Sequence, residues 1–224
     1  MDSENLAFIA HQLAKGVGVT VQITFLAALL ALALAFIVAL LRLSPWRPVR
    51  IAALGYIEFF RGTSALVQLF YLFFILPLLG ISLAPMTTAV IGLGLNFSSF
   101  GAEIVRSALI NVSQGQRDAL YALDFPPFAA LRRIILPQAL PFMLPPLGNL
   151  LVELLKSTSL VSMITLSDLT FSGATVITTL GHQTLIWSVV LGCYFLLSWP
   201  LALLVRRYER HLARHRRTGG QYGI

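Results

Sequence analysis

Charged residues are scarce in this chain of 224 residues. Asp, Glu, Lys and Arg together make up 11% of the sequence, whereas hydrophobic residues make up 57% and the mean hydropathy is +0.82. A soluble domain would carry roughly 25% charged residues. The scarcity of charge therefore excludes an ordinary soluble globular protein and predicts a polytopic membrane protein.

Cysteine is also nearly absent, since Cys193 is the only one. It lies in an apolar run and is expected to be a packing residue. A single cysteine excludes a disulfide or a cysteine-based metal site within the chain. His211 and His215 have the four-residue spacing of a helical metal site, but the arginines around them would repel a cation. We therefore predict no metal site.

Long uncharged runs predict about five transmembrane helices, because one span needs about 20 apolar residues. Residues 62–102 contain no charge but are too long for one crossing. Pro77, Gly80 and Pro85 divide this stretch into two spans. The sequence thus predicts an all-α membrane protein, with spans at Val17–Leu41, Ser64–Leu79, Met86–Ile104, Pro141–Leu160 and Thr184–Val205.

The arginines predict how these spans are oriented. They cluster after the first span, between the third and fourth, and after the fifth, and Lys and Arg accumulate on the cytoplasmic side of short loops. We expect the N-terminus outside and the C-terminus in the cytoplasm. This placement of the net charge of +7 favours membrane topology over nucleic-acid binding. The resulting units are an external segment at residues 1–16, a transmembrane domain at 17–205 and a basic cytoplasmic tail at 206–224.

The first apolar run is expected to stay in the protein as an anchor. A removable signal peptide would begin with basic residues, whereas Asp2 and Glu4 stand at the start of this chain, and no small-residue cleavage site follows.

A polar segment broken by prolines lies between the third and fourth spans and reads QGQRDALYALDFPPFAALRRIILP. Good helix formers run from Gln116 to Leu123, and Asp124 with the following Phe-Pro-Pro ends that helix. Asp124 could then cap a second helix begun by the prolines. We predict two short amphipathic helices joined at a corner, the second with an apolar face formed by Phe128, Leu131 and Ile135. Such a face either binds in a groove of a partner protein or packs against the protein's own helices.

This segment resembles the cytoplasmic coupling loop of permeases from ATP-binding-cassette (ABC) importers. That loop has the pattern Glu-Ala-Ala, three residues, Gly, nine residues, Ile-x-Leu-Pro. Here Asp118, Ala119 and Leu120 occupy the positions of Glu-Ala-Ala, and Asp124 occupies the position of the glycine. After nine intervening residues, Ile134, Leu136 and Pro137 occupy the positions of Ile-x-Leu-Pro. The resemblance implies a coupling loop at about 107–137 that contacts an ATPase through Gln116, Asp118, Ala119, Asp124, Phe128, Ile134, Leu136 and Pro137.

Three longer blocks resemble permeases of the polar amino acid uptake family, the histidine and glutamine permease-like proteins. They occur in the family's order and the resemblance covers about residues 10 to 210. The blocks read FFRGTSALVQLFYLFFILPLLG, LGLNFSSFGAEIVRSALINVSQGQ and ILPQALPFMLPPLGNLLVELLKSTSLVSMITLSDLTF.

This resemblance implies the MetI-like fold and a half-transporter in the bacterial inner membrane. Such a permease pairs with a like permease, as a homodimer or a heterodimer. Two ABC ATPase subunits dock on its cytoplasmic loops, and an extracytoplasmic solute-binding protein delivers the solute. The chain has no GxxxxGK[ST] phosphate loop. We therefore expect no cofactor in this chain, with ATP and Mg bound by the ATPase.

Two phrases resemble one branch of the family in particular, the permeases for ectoine and hydroxyectoine. They are RGTSALVQLF, where relatives more often read RGTP, and SLVSMITLSDLTF. The expected solute is therefore ectoine or hydroxyectoine, with another polar amino acid as the alternative.

The chain departs from the loop pattern at three positions. Asp118 replaces glutamate and keeps its charge, and Leu120 replaces alanine and adds bulk. Asp124 replaces a glycine, which adopts positive φ more readily than aspartate does. We therefore expect the corner to be built differently here, with Pro126 and Pro127 setting the turn.

Two pairs of charged residues near the spans have the three-residue spacing of ion pairs on a helix surface. They are Glu58 with Arg61, just before the predicted second span, and Glu103 with Arg106 near the cytoplasmic end of the third. We expect a structural role for both pairs.

Glu153 and Lys156 lie in the proline-rich fourth span, beside the polar residues Ser157 and Thr158. They either neutralise each other or line the solute path, since ionisable groups at membrane depth usually face a cavity or a partner. Many relatives have aspartate at the position of Ser157. Its replacement by serine implies a path suited to a compact zwitterion rather than a strongly cationic amino acid.

A self-sufficient secondary transporter is the alternative from a different class. Such carriers commonly show internal repeats and ion-coupling residues at the membrane midplane, and five unequal spans show neither. A membrane hydrolase would need a nucleophile motif, and the chain has no nucleophile-elbow sequence.

Overall fold

A computed structural model of the chain describes residues 3–219, with side chains from residue 4 to residue 210. Within that range every regular element is a helix and there is no β-strand, which confirms the predicted all-α class. Short π-helical and 3₁₀ turns interrupt the α-helices. The α-helices are α1 Ser3–Arg42, α2 Arg47–Gly62, α3 Ala65–Phe70, α4 Pro85–Ile110, α5 Gln114–Ala122, α6 Pro127–Ala130, α7 Leu136–Ser157, α8 Leu169–Leu180 and α9 Gln183–Gly219.

Four helical stretches of the described chain are long and apolar enough to cross a membrane, and one bent pair gives a fifth. The four are Glu4–Arg42, Pro85–Ile110, Pro127–Ile164 and Gln183–Arg210, and the bent pair is Arg47–Gly62 with Ala65–Leu79. This agrees with the prediction of about five spans, and the helices that contain the second and fourth predicted spans are longer than those spans.

Helices α1 and α4 pack along each other through small side chains. Ala27, Ala31, Ala35 and Ala39 recur on one face of α1, and each is at most 4% exposed. A Cβ atom added to Gly101 of α4 would lie only 2.8 Å from the Cβ of Ala35. Small residues at such positions allow two helix backbones to approach closely in a membrane.

Helix α1 also reaches every buried apolar cluster of the described core. One cluster joins it to α2, α4 and α7, a second to α3, α4 and the 3₁₀ turn after α7, and a third to α8 and α9. The remaining helices are therefore arranged around α1 and α4.

The second span is broken rather than continuous. Helices α2 and α3 meet at 101°, and the break lies at Thr63 and Ser64. Helix α2 packs on the core through Ala53 and Ile57, and only together with Ala65–Leu79 is it long and apolar enough for a span. The predicted second span, Ser64–Leu79, is the second half of this bent pair, and Glu58 and Arg61 lie in the first half.

Buried amides bind the backbone that the break leaves unpaired. Asn96 Nδ2 of α4 donates to the Phe60 carbonyl at 2.9 Å and to Gln68 Oε1 at 3.2 Å. Gln68 Nε2 donates to Phe60 O at 3.2 Å and to Thr63 Oγ1 at 2.6 Å. Buried carbonyl groups need such partners in a membrane, so these amides stabilise the break.

Two π-helical turns each stand directly before a proline. The Leu76 N–H donates to the Tyr71 carbonyl ahead of Pro77, and the Leu136 N–H donates to the Leu131 carbonyl ahead of Pro137. Proline has no N–H, and its ring clashes with the carbonyl four residues earlier in a regular α-helix. The wider π turn accommodates the ring without breaking the helix.

Because of the second π turn, the helix from Pro127 continues through Ile164. Pro141, Pro145 and Pro146 lie inside α7. The helix that contains the predicted fourth span therefore begins at Pro127, inside the predicted coupling loop. The predicted second loop helix is the beginning of this long helix and not a separate element.

Helix α8 was not predicted. It begins at Asp168, a fully buried residue whose carboxylate accepts hydrogen bonds from Phe171 N at 3.0 Å, Thr170 N at 3.1 Å and Tyr194 Oη at 3.2 Å. Burial raises the pKa of the Asp168 carboxyl, and these donors oppose that rise. The Leu169 N–H also donates to Thr20 Oγ1 of α1, at 3.1 Å. Asp168 thus joins α8 to α9, while Thr20 joins it to α1.

The ends of the chain continue the outer helices. Helix α1 has no break at residue 17, and α9 has none at residue 206. Residues 220–224 of the predicted tail, and the side chains of His211 and His215, lie outside the described part of the chain.

The close approach of α1 and α4 predicts the effect of one added methyl group. We expect Gly101→Ala to destabilise the protein by about 1–2 kcal/mol, because the cost of overpacking exceeds the gain in helix propensity. Thermal unfolding of the purified protein in detergent measures this change. Gly55→Ala is the control, since a Cβ at Gly55 has no neighbour within 4 Å. The second change Ala35→Gly should restore stability to Gly101→Ala, and a lack of rescue would contradict the proposed contact.

Candidate coupling loop and solute groove

Helix α5 is held against the end of α4 by an arginine. Arg117 Nη2 donates to the Leu109 carbonyl at 2.6 Å, and its Nε donates to the Val112 carbonyl at 3.5 Å. Gln138 Nε2 of α7 donates to Gln116 Oε1 at 2.7 Å. The loop is therefore fixed to both of its neighbouring helices. The sequence did not reveal the role of Arg117, because the carbonyl groups that it binds are not specified by any motif.

The corner after α5 has a left-handed residue, as the glycine of the family pattern would allow. Asp124 has φ of 47°. The Phe125 N–H donates to the Leu120 carbonyl at 3.0 Å, and the Asp124 N–H donates to Tyr121 O at 3.1 Å. These two bonds form a Schellman motif, in which the left-handed position is usually glycine.

The expectation that the prolines would build a different corner is therefore wrong. Asp124 also does not cap the second helix, because the N-cap position of α6 is Pro126 and has no side-chain cap.

The apolar face predicted for the second helix is divided between the inside and the outside. Leu131 and Ile135 pack against the protein's own core, and Phe128 is 74% exposed. Tyr121 and Leu123 of the first helix are 89% and 75% exposed. The exposed apolar surface of the loop is thus Tyr121, Leu123 and Phe128, which we call the loop apex. Tyr121 and Leu123 were missed, although each is a large apolar residue in an otherwise polar helix.

The remaining predicted coupling residues surround the loop apex or lie behind it. Asp118 and Ala119 are exposed on α5, and the Asp118 carboxylate accepts a hydrogen bond from Gln114 Nε2 at 3.0 Å. Ile134 is half-buried, Leu136 packs against the core, and Pro137 is exposed after the π turn. Beside the corner, a cleft of about 470 Å³ is lined by Arg117, Leu120, Tyr121 and Phe125, among others.

A second candidate site is an open groove of about 650 Å³ between α2, α4 and α7. Arg61 comes from α2, Glu103 from α4, Asn111 from the C-cap of α4, and Asn149 and Glu153 from α7. Charged and amide side chains therefore face one groove from three helices. We call it the solute groove.

The two predicted ion pairs differ in the structure. Arg106 Nε donates to both carboxylate oxygens of Glu103, at 2.9 and 3.0 Å, and Nη2 also donates to Oε1. Glu58 and Arg61, both within the described residues, form no ion pair. The Arg61 guanidinium lies over the Phe100 ring instead, 5.3 Å from its centre, in a cation–π arrangement.

The predicted path residues are arranged around the end of α7. Glu153 and Lys156 are exposed and form no ion pair with each other, although both belong to the described chain. Ser157 is half-buried at the start of the 3₁₀ turn, and the Thr158 hydroxyl is fully buried and donates to the Leu155 carbonyl at 2.7 Å. Glu153 therefore faces the solute groove, while Thr158 is part of the interior.

Residues 31–218 match the family model described as binding-protein-dependent transport system inner membrane component. This match covers the broken span, the loop apex and the solute groove. The chain belongs to this family of inner-membrane transport components.

Curated relatives extend the match to named permeases. A probable amino-acid ABC transporter permease of Sinorhizobium fredii, y4tF, is 41% identical over 210 residues, covering 91% of this chain and 88% of that protein. The L-cystine transport system permease TcyB of Bacillus subtilis is 35% identical and covers 91% and 87%. The glutamine transport system permease GlnP of Escherichia coli is 36% identical and covers 71% and 74%.

Solved structures show the same fold. A chain from the crystal structure of an amino acid ABC transporter with histidines superposes with a TM-score of 0.86 at 29% identity, over 94% of this chain and 99% of that one. A chain of the MetNI methionine ABC transporter, in an inward-facing conformation, gives 0.79 at 20% identity, over 95% and 99%. The predicted MetI-like fold is therefore confirmed.

The left-handed corner predicts that glycine is better than aspartate at position 124. We expect Asp124→Gly to stabilise α5 by roughly 0.5–1 kcal/mol, because glycine adopts positive φ without a Cβ clash. Asp124→Val should destabilise it by more than that, since a β-branched residue is strained there. Limited proteolysis of the loop measures the difference. Ala122→Gly, within regular α5, should give the opposite sign to Asp124→Gly, and equal signs would contradict the left-handed corner.

Proposed function

We propose that this chain is the permease subunit of an ABC importer for a polar amino acid or a compact solute derived from one. The observation that carries the proposal is the loop apex, an exposed apolar surface on a coupling loop with the family's spacing. The proposed partners are two ABC ATPase subunits, a second like permease and an extracytoplasmic solute-binding protein. ATP and Mg would be bound by the ATPase. The chain would then supply the path for the solute and the surface that receives the ATPase movement.

The loop apex supports the ATPase contact because it has no cover within the described chain. Tyr121, Leu123 and Phe128 are each at least 74% exposed, and they lie on a loop that is joined to α4 and α7. Large apolar side chains in a polar surrounding mark interaction surfaces. Asp118 beside them supplies a negative charge for a basic group of the partner. A movement of the docked subunit would therefore reach the spans through Arg117 and Gln138.

Changes of charge in this surface should weaken ATPase docking and uptake while leaving the chain inserted in the membrane. We expect Phe128→Asp to lower ATPase assembly by tenfold or more, because a desolvated carboxylate in a docking groove costs a few kcal/mol. Asp118→Lys should impair coupling as well. Co-purification of the ATPase and solute uptake in proteoliposomes provide the measurements. Phe128→Tyr is the matched control and should be active. Normal assembly and uptake in both charged variants would rule out this contact.

The solute groove supports a role in solute recognition, because it presents both signs of charge. Arg61 is held over Phe100 from α2, and Glu153 stands on α7 without an ion-pair partner in the described chain. The carboxylate of a zwitterionic solute could meet the guanidinium of Arg61, and its ammonium group could meet the carboxylate of Glu153. Asn149 and Asn111 add neutral hydrogen-bonding groups. This arrangement fits a compact zwitterion. Lys156 and Ser157 follow one turn later, where the path is proposed to continue, whereas Thr158 is buried beside them.

Substitutions at the end of α7 separate a path role from a structural role. We expect Glu153→Gln and Lys156→Met to assemble normally but to reduce uptake or to change solute preference, because neither side chain is buried or paired. Asp168→Ala is the structural control, and it should lower the amount of folded protein, because it leaves the buried N–H groups of Phe171 and Thr170 without their acceptor. Quantified assembly, solute-stimulated ATPase and uptake distinguish these results. Unchanged uptake and preference in both α7 variants would eliminate the path role.

The identity of the solute is proposed more narrowly from the sequence phrases. The relatives named above transport amino acids such as cystine and glutamine, according to their names. The phrases around Ser64 and Ser162 favour ectoine or hydroxyectoine, which are compact zwitterions of the kind that the solute groove suits. Competition of labelled solute uptake by ectoine, glutamine and cystine would separate these candidates.

The orientation proposed for this inner-membrane protein is N-terminus outside and C-terminus in the cytoplasm. The arginines of the α1–α2 connection, of the coupling loop and of the end of α9 then all lie on the cytoplasmic side. This side is also where the loop apex would meet an ATPase. A secondary transporter, the competing class, would catalyse uptake alone with an ion gradient and would not co-purify with an ATPase.

A further inference from the structure

The connection between α1 and α2 contains a cluster of unpaired positive charge. Arg42, Arg47 and Arg50 fall within nine residues, and no Asp or Glu occurs between Asn5 and Ile57. Arg47 and Arg50 are exposed, and none of the three forms an ion pair within the described chain. We call these three residues the arginine patch. Neither the loop apex nor the solute groove uses them.

Arg42 has an unsatisfied donor inside the protein. Its Nε atom is buried and has no hydrogen-bond partner among the described residues. The charge of Arg42 acts on the Glu103 carboxylate of α4, which Arg106 also binds. Arg42 is therefore partly balanced inside the protein, and its buried Nε atom is out of reach of a partner from outside. Arg47 and Arg50 are exposed and form no ion pair among the described residues, so they are open to an anion from outside the chain.

The patch lies at the boundary of the apolar segment. It begins where the uncharged run of α1 ends, and Trp46 between the arginines is 72% exposed. Tryptophan is enriched at the membrane–water interface. Leu43 and Ile51 on either side are also exposed, at 41% and 66%. Positive charge thus stands beside apolar side chains that could contact acyl chains.

We infer that the arginine patch binds the phosphate of anionic phospholipid headgroups in the leaflet next to the C-terminal end of α1. Arg47 and Arg50 would meet the headgroup at the first turn of α2, and Arg42 would add its positive charge from the end of α1. Trp46 would lie at the boundary between headgroup and acyl chain. Charge complementarity favours a lipid over a protein surface, because the exposed apolar residues flank the arginines where the membrane interface lies. This inference goes beyond transport and does not depend on the solute.

Trp46 itself can report the lipid. With Trp187→Phe and Trp199→Phe, Trp46 is the only tryptophan of the chain. The full chain would be placed in nanodiscs containing equal fractions of phosphatidylglycerol and phosphatidylcholine, with one or the other lipid brominated. We expect brominated phosphatidylglycerol to quench Trp46 more strongly. Each interfacial arginine raises the local preference for anionic lipid about fivefold.

Two variants test which residues carry the preference. Arg47→Gln with Arg50→Gln should make the quenching by the two lipids nearly equal. Arg42→Lys keeps the charge and should leave the preference unchanged, because the buried Nε atom that it removes does not reach the lipid. Arg132→Gln with Arg133→Gln is the matched control, since it removes two exposed charges elsewhere and should leave the preference unchanged.

Several outcomes would overturn the inference. One such outcome is equal quenching of Trp46 by the two lipids in the chain that keeps all three arginines. Loss of the preference in excess inorganic phosphate would assign the patch to a free anion. If the double glutamine variant keeps the lipid preference but loses ATPase co-purification, the patch is a protein contact.

Discussion

The close approach of α1 and α4 is the constraint on which the other helices depend. Alanines on one helix and Gly101 on the other leave no room for a further methyl group. Because α1 contributes to all three buried clusters, its distance from α4 sets where α2, α7 and α8 can pack. The coupling loop follows from the same contact, since α5 begins shortly after α4 ends and Arg117 binds the last carbonyl groups of α4. In lipid, helix association depends on close packing rather than on the hydrophobic effect. The contact between α1 and α4 therefore supplies stabilisation that a soluble core would draw from many separate contacts.

The sequence was sufficient where a single physical property decides the structure. Long uncharged runs reveal α1, α4 and α9, because only a membrane tolerates them. It was insufficient where contacts between helices decide. Helix α2 carries Glu58 and Arg61 and therefore does not read as a span, yet Ala53 and Ile57 bury its inner face. Helix α8 has only 12 residues, too few for the run-length criterion, and is fixed by Asp168 through contacts with distant helices.

The candidate sites show the same division. The motif spacing located the coupling loop from the sequence, and the loop apex lies within it. The sequence did not show which side chains of the loop face outward, because that depends on how the helix starting at Pro127 is rotated about its axis. That helix joins α7 without a break, so the core of α7 turns Leu131 and Ile135 inward and leaves Phe128 outside. The conformation of Asp124 was also beyond the sequence, since the Schellman hydrogen bonds outweigh the preference of aspartate for negative φ.

The continuous helix from Pro127 to Ile164 links the coupling loop directly to the far end of the fourth span. Its 38 residues extend for about 57 Å. For a straight rod of that length that pivots at the end carrying Phe128, a tilt of about 5° would displace the opposite end by roughly 5 Å. Glu153 lies about two thirds of the way along and Lys156 one turn further, so such a tilt would displace both directly. Ala139, Met143 and Leu147 pack in one cluster with α4, and the three prolines of the same stretch are where part of a tilt would be taken up as bending.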